Sequence, residues 1–286
     1  MLILEAMRFR TCARKMRYRL SFAQQGRTCA RETERNKMVK HIIFDMDGTL
    51  VDSAQVSIAA CRAIAPQFNL AVLPPETIQN AIGYANPDFY YQLYSNEEKN
   101  LLHKYSAAVE AYEAEIIRDF TGDLLFPDIR PMLQELATQG YPLYIASTGD
   151  SNHVFDSLTK GNIIHHFEKI YCNRPFVADH NEVNHSDAGY NKEMSRIHFC
   201  EANSNIKGIH TNKADMLSAL MADSDPAEWL MVGDKEKDAS AARKNNVTSI
   251  CFRFGYGTAK EHALFDYIVD SPMEFIQLLQ AGSFMP

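Results

Sequence analysis

Residues 41–53, with the sequence HIIFDMDGTLVDS, constrain the fold of this chain more than any other segment. The apolar run at 42–44 predicts a buried strand. Asp45 and Asp47 follow it directly, at the carboxyl end of the strand, where open α/β sheets place their ligands. Two carboxylates so close repel each other unless a cation or a shared proton offsets the charge. The segment therefore indicates a Mg²⁺ site with a reactive carboxylate, and a solvated turn is the simpler alternative.

Predicted helices and strands alternate along the rest of the chain. Residues 54–118 have helical patterns, and they separate the first strand from the next one. Further strands, with helices between them, are predicted at 142–149, 167–172, 229–234 and 248–252. This alternation favours an α/β fold, a Rossmann-like and mostly parallel sheet with helices on both faces. We expect a core of residues 38–53 and 119–286, with 54–118 inserted as a helical subdomain.

Charge is distributed unevenly along the chain, whose net charge is −7. Residues 1–37 carry ten Lys/Arg and three Glu, so the remainder is more acidic than the whole. An acidic body is a poor partner for nucleic acid. The basic leader is interpreted as disordered or as translated sequence upstream of a natural start at Met38. A targeting peptide and an arm that binds an acidic partner are the alternatives.

Cysteine usage and hydropathy bear on the compartment. The six cysteines are scattered without a Cys-x-x-Cys pair, which argues for a reducing compartment and against a disulfide framework. No apolar run approaches the roughly 18 residues that span a bilayer. We therefore expect a cytoplasmic protein with no membrane partner, although the basic leader leaves organelle targeting open. Oligomeric state is not predicted.

Three further segments carry groups that suit phosphate or a metal ion. Ser147 and Thr148 end the second predicted strand, where a hydroxyl and backbone amides suit phosphate oxygens. Asp234 ends the fourth strand and Asp238 follows one helical turn later, so both carboxylates can face one Mg²⁺ ion. Lys213 opens a helix 21 residues before Asp234. Each has a simpler interpretation: Ser147 and Thr148 as an ordinary loop, Asp234 and Asp238 as a favourably charged helix start, and Lys213 as a solvated lysine.

Taken in order, these pieces resemble the haloacid dehalogenase (HAD) superfamily. The tail at 254–257 and 266–272 is similar to the end of its phosphoglycolate-phosphatase-like members, and 54–118 looks like their small helical cap. The resemblance covers roughly residues 38–279. The matching positions are residues 45–49 (DMDGT), Ser147, Lys213, and Asp234 with Asp238.

The resemblance implies a phosphatase that acts on a small phosphorylated metabolite. Asp45 would attack phosphorus to form an aspartyl phosphate. Asp47 would protonate the leaving oxygen and then deprotonate the hydrolytic water. Ser147 and Lys213 would hold the phosphoryl oxygens, helped by amides around Thr148. Members with dehalogenase activity lack the second aspartate, so its presence favours phosphate chemistry.

The resemblance also implies a Mg²⁺ cofactor. Its ligands would be Asp45, the backbone carbonyl of Asp47, and Asp234, with Asp238 as a further ligand or as outer support. A phosphomutase on the same scaffold and a non-catalytic, partner-binding protein are the alternative functions. The intact carboxylates argue against the second.

Two departures from the family pattern stand out. The third motif reads Lys213-Ala214, where close relatives have Lys-Pro, and Lys192 is a more distant rival. Segment 173–212 is longer than usual, and we interpret it as a shaping element of the site entrance or as an oligomer contact. Its histidines are interpreted as solvated loop residues rather than metal ligands. They are His180, His185, His198 and His210.

Overall fold

The computed structural model describes residues 39–173, 195–199, 212–222 and 224–282. The predicted leader at 1–37, the rival Lys192 and most of segment 173–212 lie outside the described residues. So do three of its four histidines and the side chain of the fourth, His198. The structure therefore does not test the predictions for these residues.

Parallel strands form a seven-stranded sheet in the described part of the chain. The strand order is β4-β3-β2-β1-β5-β6-β7, and every neighbouring pair is parallel. The strand that carries the first acidic motif, β1, is therefore central. The strands are β1 (His41–Phe44), β2 (Leu143–Ala146), β3 (Phe167–Cys172), β4 (Ile197–Phe199), β5 (Trp229–Gly233), β6 (Thr248–Phe252) and β7 (Tyr267–Val269).

Helices connect these strands, and five of them lie between β1 and β2. We call α1 to α4 the helical insert. The helices are α1 (Ala54–Ile64), α2 (Pro75–Ala81), α3 (Asp88–Leu93), α4 (Lys99–Asp119), α5 (Ile129–Thr138), α6 (Ser151–Lys160), α7 (Lys213–Met221), α8 (Glu236–Lys244), α9 (Ala259–His262) and α10 (Pro272–Ala281). Short 3₁₀ helices lie at Ala65–Phe68, Ile164–His166 and Pro226–Glu228.

Helices cover both faces of the sheet, as the alternation of elements predicts. Successive side chains of a strand point to opposite faces. In β1, Ile42 and Phe44 pack with apolar residues of α5, α6 and α10. Ile43 packs on the other face, with residues of α7 and α8. All three are completely buried, so the apolar run at 42–44 reflects a strand that is covered on both sides. The predicted Rossmann-like α/β fold is confirmed.

The helical insert has an apolar cluster of its own. Tyr90 and Tyr105 are buried there with their rings edge to face, 5.6 Å between centroids. The Tyr105 hydroxyl donates a hydrogen bond to the carbonyl of Cys61 at 2.9 Å, which satisfies its polar end. This cluster explains why residues 54–118 alternate apolar and polar positions with a helical period.

Two edge strands were not predicted. β4 lies within segment 173–212 and β7 lies in the tail. Each is three residues long, which is too short to show a clear apolar pattern. Among the described residues, no helix is long and apolar enough to cross a membrane.

Candidate active site

Three neighbouring strands deliver polar side chains to one edge of the sheet. Asp45 follows β1, Ser147 follows β2 and Asp234 follows β5. The backbone amide of Asp45 donates to the carbonyl of Val232 at 2.8 Å, and that of Ser147 donates to Tyr171 at 2.9 Å. The sheet hydrogen bonding therefore continues one residue beyond β1 and β2, whereas the amide of Asp234 donates to Oδ2 of Asp238 at 3.1 Å. These bonds fix the backbone at all three residues, and all three side chains are buried.

The turn after Asp45 depends on Gly48. Its φ of +83° lies in the region that side chains other than hydrogen disfavour. A Cβ at this position would lie 2.6 Å from Oδ2 of Asp234. Gly48 thus allows the backbone after β1 to approach the carboxylate that follows β5.

Lys213 bridges two carboxylates beneath this edge. Its Nζ lies 2.7 Å from Oδ1 of Asp45 and 2.6 Å from Oδ1 of Asp238. The side chain of Asn212 accepts a hydrogen bond from the amide of Asp215, which caps α7 and begins it at Lys213. Burial lowers the pKa of Lys213, but Asp238 and Asp45 raise it by more, so the amine is held as an ammonium group.

Asp238 uses both carboxylate oxygens within the protein. Oδ1 accepts from Lys213, and Oδ2 accepts from the amides of Asp234 and Lys235 at 3.1 and 3.0 Å. A Cβ on residue 233 would lie 2.3 Å from Cγ of Asp238, so only glycine fits there. This arrangement favours the supporting role of Asp238 over that of a direct metal ligand.

The two carboxylate oxygens of Asp234 differ in their hydrogen bonding. Oδ2 accepts from the amide of Tyr256 at 2.6 Å, whereas Oδ1 is buried without a hydrogen-bond partner among the described residues. Burial and the neighbouring Asp238 raise the pKa of Asp234 to about 7. One oxygen each of Asp45, Asp234 and Asp238 lie within 4.8 Å of one another. A buried acceptor without a donor, in a group where carboxylates outnumber ammonium groups, fits a hard divalent cation.

Asp47 forms an ion pair that sequence analysis missed. Nε2 of His153 lies 2.9 Å from Oδ1 of Asp47. Asp150 caps α6 by accepting from the amides of Asn152 and His153, and this places His153 in the first turn. Burial raises the pKa of Asp47, but His153 lowers it by more. Burial lowers the pKa of His153, but Asp47 raises it by more, to about 10. The pair is therefore a carboxylate and an imidazolium.

A pocket opens beside Asp47, between the sheet edge and the helical insert. It encloses about 480 Å³ of space, part of it open to solvent. Thr148 and Glu113 line it from opposite sides. The Thr148 hydroxyl donates to the carbonyl of Gly83 in the insert at 3.1 Å. Its hydroxyl therefore contacts the insert, and phosphate binding by its amide stays a prediction.

With this geometry in place, comparison with known families is informative. The family model described as haloacid dehalogenase-like hydrolase matches residues 42–185, half of the chain. The matched range includes Asp45, Asp47 and Ser147. The chain belongs to the haloacid dehalogenase-like hydrolases. The superfamily that the motifs resemble is thereby confirmed.

Individual relatives of this haloacid dehalogenase-like hydrolase have different named activities. A phosphoglycolate phosphatase from Nitrosospira multiformis is 24% identical over 253 residues, covering 86% of this chain and 97% of the relative. The tyrosine-protein kinase PtkA of Mycobacterium tuberculosis is 24% identical over 221 residues. That match covers 76% of this chain, and the chain spans only 63% of the kinase's length.

A solved structure confirms the fold. The β-phosphoglucomutase from Clostridium difficile superposes with a TM-score of 0.59 at 18% sequence identity. The match covers 85% of this chain and 98% of the mutase. At this identity the similarity concerns the fold alone.

The fold of this haloacid dehalogenase-like hydrolase brings most of the predicted site together. Asp45, Lys213, Asp234 and Asp238 are in contact or within a few ångströms of each other. The side chain of Asp47 pairs instead with His153. His153 and Glu113 were missed because neither stands in a motif. The cap at Asp150 could have marked the start of α6, but no sequence signal aims His153 at Asp47.

Proposed function

We propose that this protein is a Mg²⁺-dependent phosphatase that hydrolyses a small phosphomonoester through an aspartyl phosphate on Asp45. The observation that carries the proposal is the buried Asp45 carboxylate, held 2.7 Å from the ammonium group of Lys213 at the end of the central strand. A cation beside the nucleophile can retain the phosphoryl oxygens during transfer. The phosphoglycolate phosphatases among the relatives support phosphate ester hydrolysis.

The residues present suffice for the two half-reactions. In the first, a carboxylate oxygen of Asp45 forms a bond to phosphorus, the ester P–O bond breaks, and the leaving oxygen takes a proton from the Asp47–His153 pair. In the second, water gives a proton back to that pair and attacks phosphorus, which releases phosphate and restores Asp45. The 2.9 Å separation of Asp47 and His153 allows the pair to hold the transferable proton.

The carboxylates would also hold the metal. Asp45, Asp234 and the backbone carbonyl of Asp47 would be its ligands, and Asp238 would support them by binding Lys213 and the adjacent amides. When bound, Mg²⁺ would offset the negative charge that otherwise keeps an anionic nucleophile from an anionic phosphate ester.

The helical insert would act as a cap over this site. Core side chains already bind the end of α2 and the loop after it. Lys235 donates to the carbonyls of Asn80 and Ile82 at 3.0 and 2.6 Å, and Lys237 donates to Gly83 at 3.0 Å. These hydrogen bonds would hold the insert closed over the substrate, and the closed insert would exclude bulk water during phosphoryl transfer.

A phosphomutase is the second candidate. A β-phosphoglucomutase has the same fold, and the proposed nucleophile Asp45 would serve a mutase equally well. The difference is the fate of the aspartyl phosphate, which a mutase returns to a sugar instead of to water. Release of free phosphate during steady turnover distinguishes the two.

The test is phosphate release from phosphorylated metabolites, 2-phosphoglycolate among them, with and without Mg²⁺. Wild type is compared with Asp45→Asn and with the surface control Asp119→Asn, whose side chain is exposed. We expect Mg²⁺-dependent release that Asp45→Asn abolishes and Asp119→Asn retains. Release that survives in Asp45→Asn would rule out the aspartyl phosphate. A folded wild type without activity on any compound would favour the mutase or a non-catalytic role.

A further inference from the structure

The pocket beside Asp47 is where the leaving group of a phosphoryl substrate would lie, if the proposed function holds. Asp47 and Ser53 line it from the loop after β1, and Thr148 and His153 line it from the β2 side. Ser57 and Glu113 line it from the helical insert. Since the pocket adjoins the proposed acid–base carboxylate Asp47, its lining would contact the alcohol part of the substrate.

This lining is acidic. Asp47, Asp150 and Glu113 each contribute a carboxyl group, and the described lining residues include no lysine or arginine. Among the described lining residues, His153 is the one cationic side chain, and Asp47 already pairs with it. Lys235 and Lys237 come near, but they donate to carbonyls at 80–83 of the insert.

Glu113 projects from α4 into this pocket. Its side chain is buried, and burial raises its pKa to about 7. One polar atom of the lining, Nδ1 of His153, lacks a hydrogen-bond partner among the described residues. In an imidazolium this nitrogen is a donor, and a buried donor without an acceptor is costly. It therefore favours a ligand with a polar oxygen, such as a hydroxyl group, over a purely apolar one.

We propose that the substrate is a phosphomonoester whose leaving alcohol carries hydrogen-bond donors, hydroxyl or ammonium groups, and no carboxylate. A hydroxyl or ammonium group would donate to Glu113. A carboxylate there would be buried beside Glu113 and Asp150, and the described lining residues offer no free cation to pair with it. The inference rests on the proposed phosphatase function and narrows its substrate class. It separates this chain from relatives that are named for phosphoglycolate.

The test compares kcat/KM of the full chain for three small esters with Mg²⁺: glycerol 1-phosphate, O-phosphoethanolamine and 2-phosphoglycolate. p-Nitrophenyl phosphate reports phosphatase activity independent of the leaving-group class. We expect one of the two donor-bearing esters to exceed 2-phosphoglycolate by at least about tenfold, which corresponds to about 1.4 kcal/mol. The better of the two identifies hydroxyl or ammonium as the recognised group.

Glu113→Gln tests the residue. It keeps the shape and removes the negative charge, so the ratio of kcat/KM between O-phosphoethanolamine and 2-phosphoglycolate should fall about tenfold. Glu115→Gln, on the exposed side of the same helix, should keep the wild-type ratio. The ratio cancels any general loss of activity, and the wild-type ratio alone decides the matter if Glu113→Gln does not fold.

The outcomes are distinguishable. Activity on p-nitrophenyl phosphate together with a preference for 2-phosphoglycolate would overturn this inference and leave the phosphatase intact. An unchanged ratio in folded Glu113→Gln would overturn the role of Glu113. No release from any ester, p-nitrophenyl phosphate included, would overturn the phosphatase and this inference with it.

Discussion

Lys213 shows how one side chain can serve both stability and chemistry. Its ammonium group pairs with Asp45 and Asp238, and all three side chains are buried. Burial raises the pKa of Asp45 well above its usual value, and the ammonium group of Lys213 opposes this rise. The same charge would hold phosphoryl oxygens when substrate replaces part of this contact.

Replacing Lys213 by methionine should therefore affect both properties. The variant leaves two buried carboxylates without their cation, so we expect the free energy of unfolding to fall by about 3 kcal/mol and phosphatase activity to be lost. Urea denaturation and phosphate release measure the two effects. The control is Lys244→Met, which changes an exposed lysine. Unchanged unfolding of Lys213→Met would show that the ion pairs do not stabilise the fold.

Glu113 makes stability depend on pH. Its pKa is about 7 in the folded protein, against an ordinary value of 4.5, because burial outweighs the opposing charge of His153 and the hydrogen bond from Ser57. Nearby Asp150 and Glu110 raise the pKa further. A raised carboxyl pKa contributes stability that is fully present below pH 4.5 and is lost as pH rises through 7.

Glu113→Gln should abolish this dependence. Relative to wild type, the variant should gain up to about 3 kcal/mol of unfolding free energy as pH rises from 4.5 to 7, since one pKa unit is worth about 1.4 kcal/mol. Urea denaturation across this range measures the difference, with Glu115→Gln as the exposed control. A difference that stays constant with pH would contradict the raised pKa.

At the level of elements, one set of hydrogen bonds joins the core to the end of α2 and the loop that follows it. Lys235 from the start of α8 donates to Asn80 and Ile82, and Thr148 after β2 donates to Gly83. Burial lowers the pKa of Lys235, which shows how far its amine leaves solvent to reach the insert. These contacts hold the insert by backbone carbonyls and so do not depend on its side chains.

Lys235→Met should loosen this junction without unfolding the core. Two hydrogen bonds to the insert are lost, so amide exchange at 80–86 should accelerate and KM should rise about tenfold, with a smaller change in the unfolding free energy. Hydrogen exchange and steady-state kinetics provide the measurements. Lys260→Met, at an exposed position, is the matched control. Wild-type exchange at 80–86 would mean that other contacts hold the insert.

For the whole molecule, the acidic cluster links stability to divalent cations. Asp45, Asp234 and Asp238 repel one another, and Oδ1 of Asp234 lacks a partner among the described residues. A cation that binds only the folded protein stabilises it by mass action. Excess Mg²⁺ should therefore raise Tm by about 3 °C over the value in EDTA.

Asp234→Asn should remove this shift, because it deletes the charge on the ligand that has a free oxygen. Scanning calorimetry in Mg²⁺ and in EDTA measures it, with Asp119→Asn as a surface control that keeps the wild-type shift. The absence of a Mg²⁺ shift in wild type would argue against the metal site, whatever the activity.

The chain order of the motifs was enough to predict which residues come to the same edge of the sheet. Asp45, Ser147 and Asp234 each follow an apolar strand, and the carboxyl ends of parallel strands lie together, so periodicity and spacing sufficed. The short edge strands β4 and β7 were not predicted, because three residues are too few to show an alternation of apolar and polar side chains.

Tertiary structure decided the contacts between distant residues. His153 contacts Asp47, which is 106 positions away in the sequence. Glu113 reaches the pocket from α4, and the apolar pattern of that helix predicts only which of its faces is buried. Only the tertiary structure shows that both oxygens of Asp238 accept hydrogen bonds within the protein. Sequence spacing shows that two carboxylates can face one point, but it does not show which groups bind to them. Local patterns report burial and period, whereas pairing of polar side chains depends on how the elements pack.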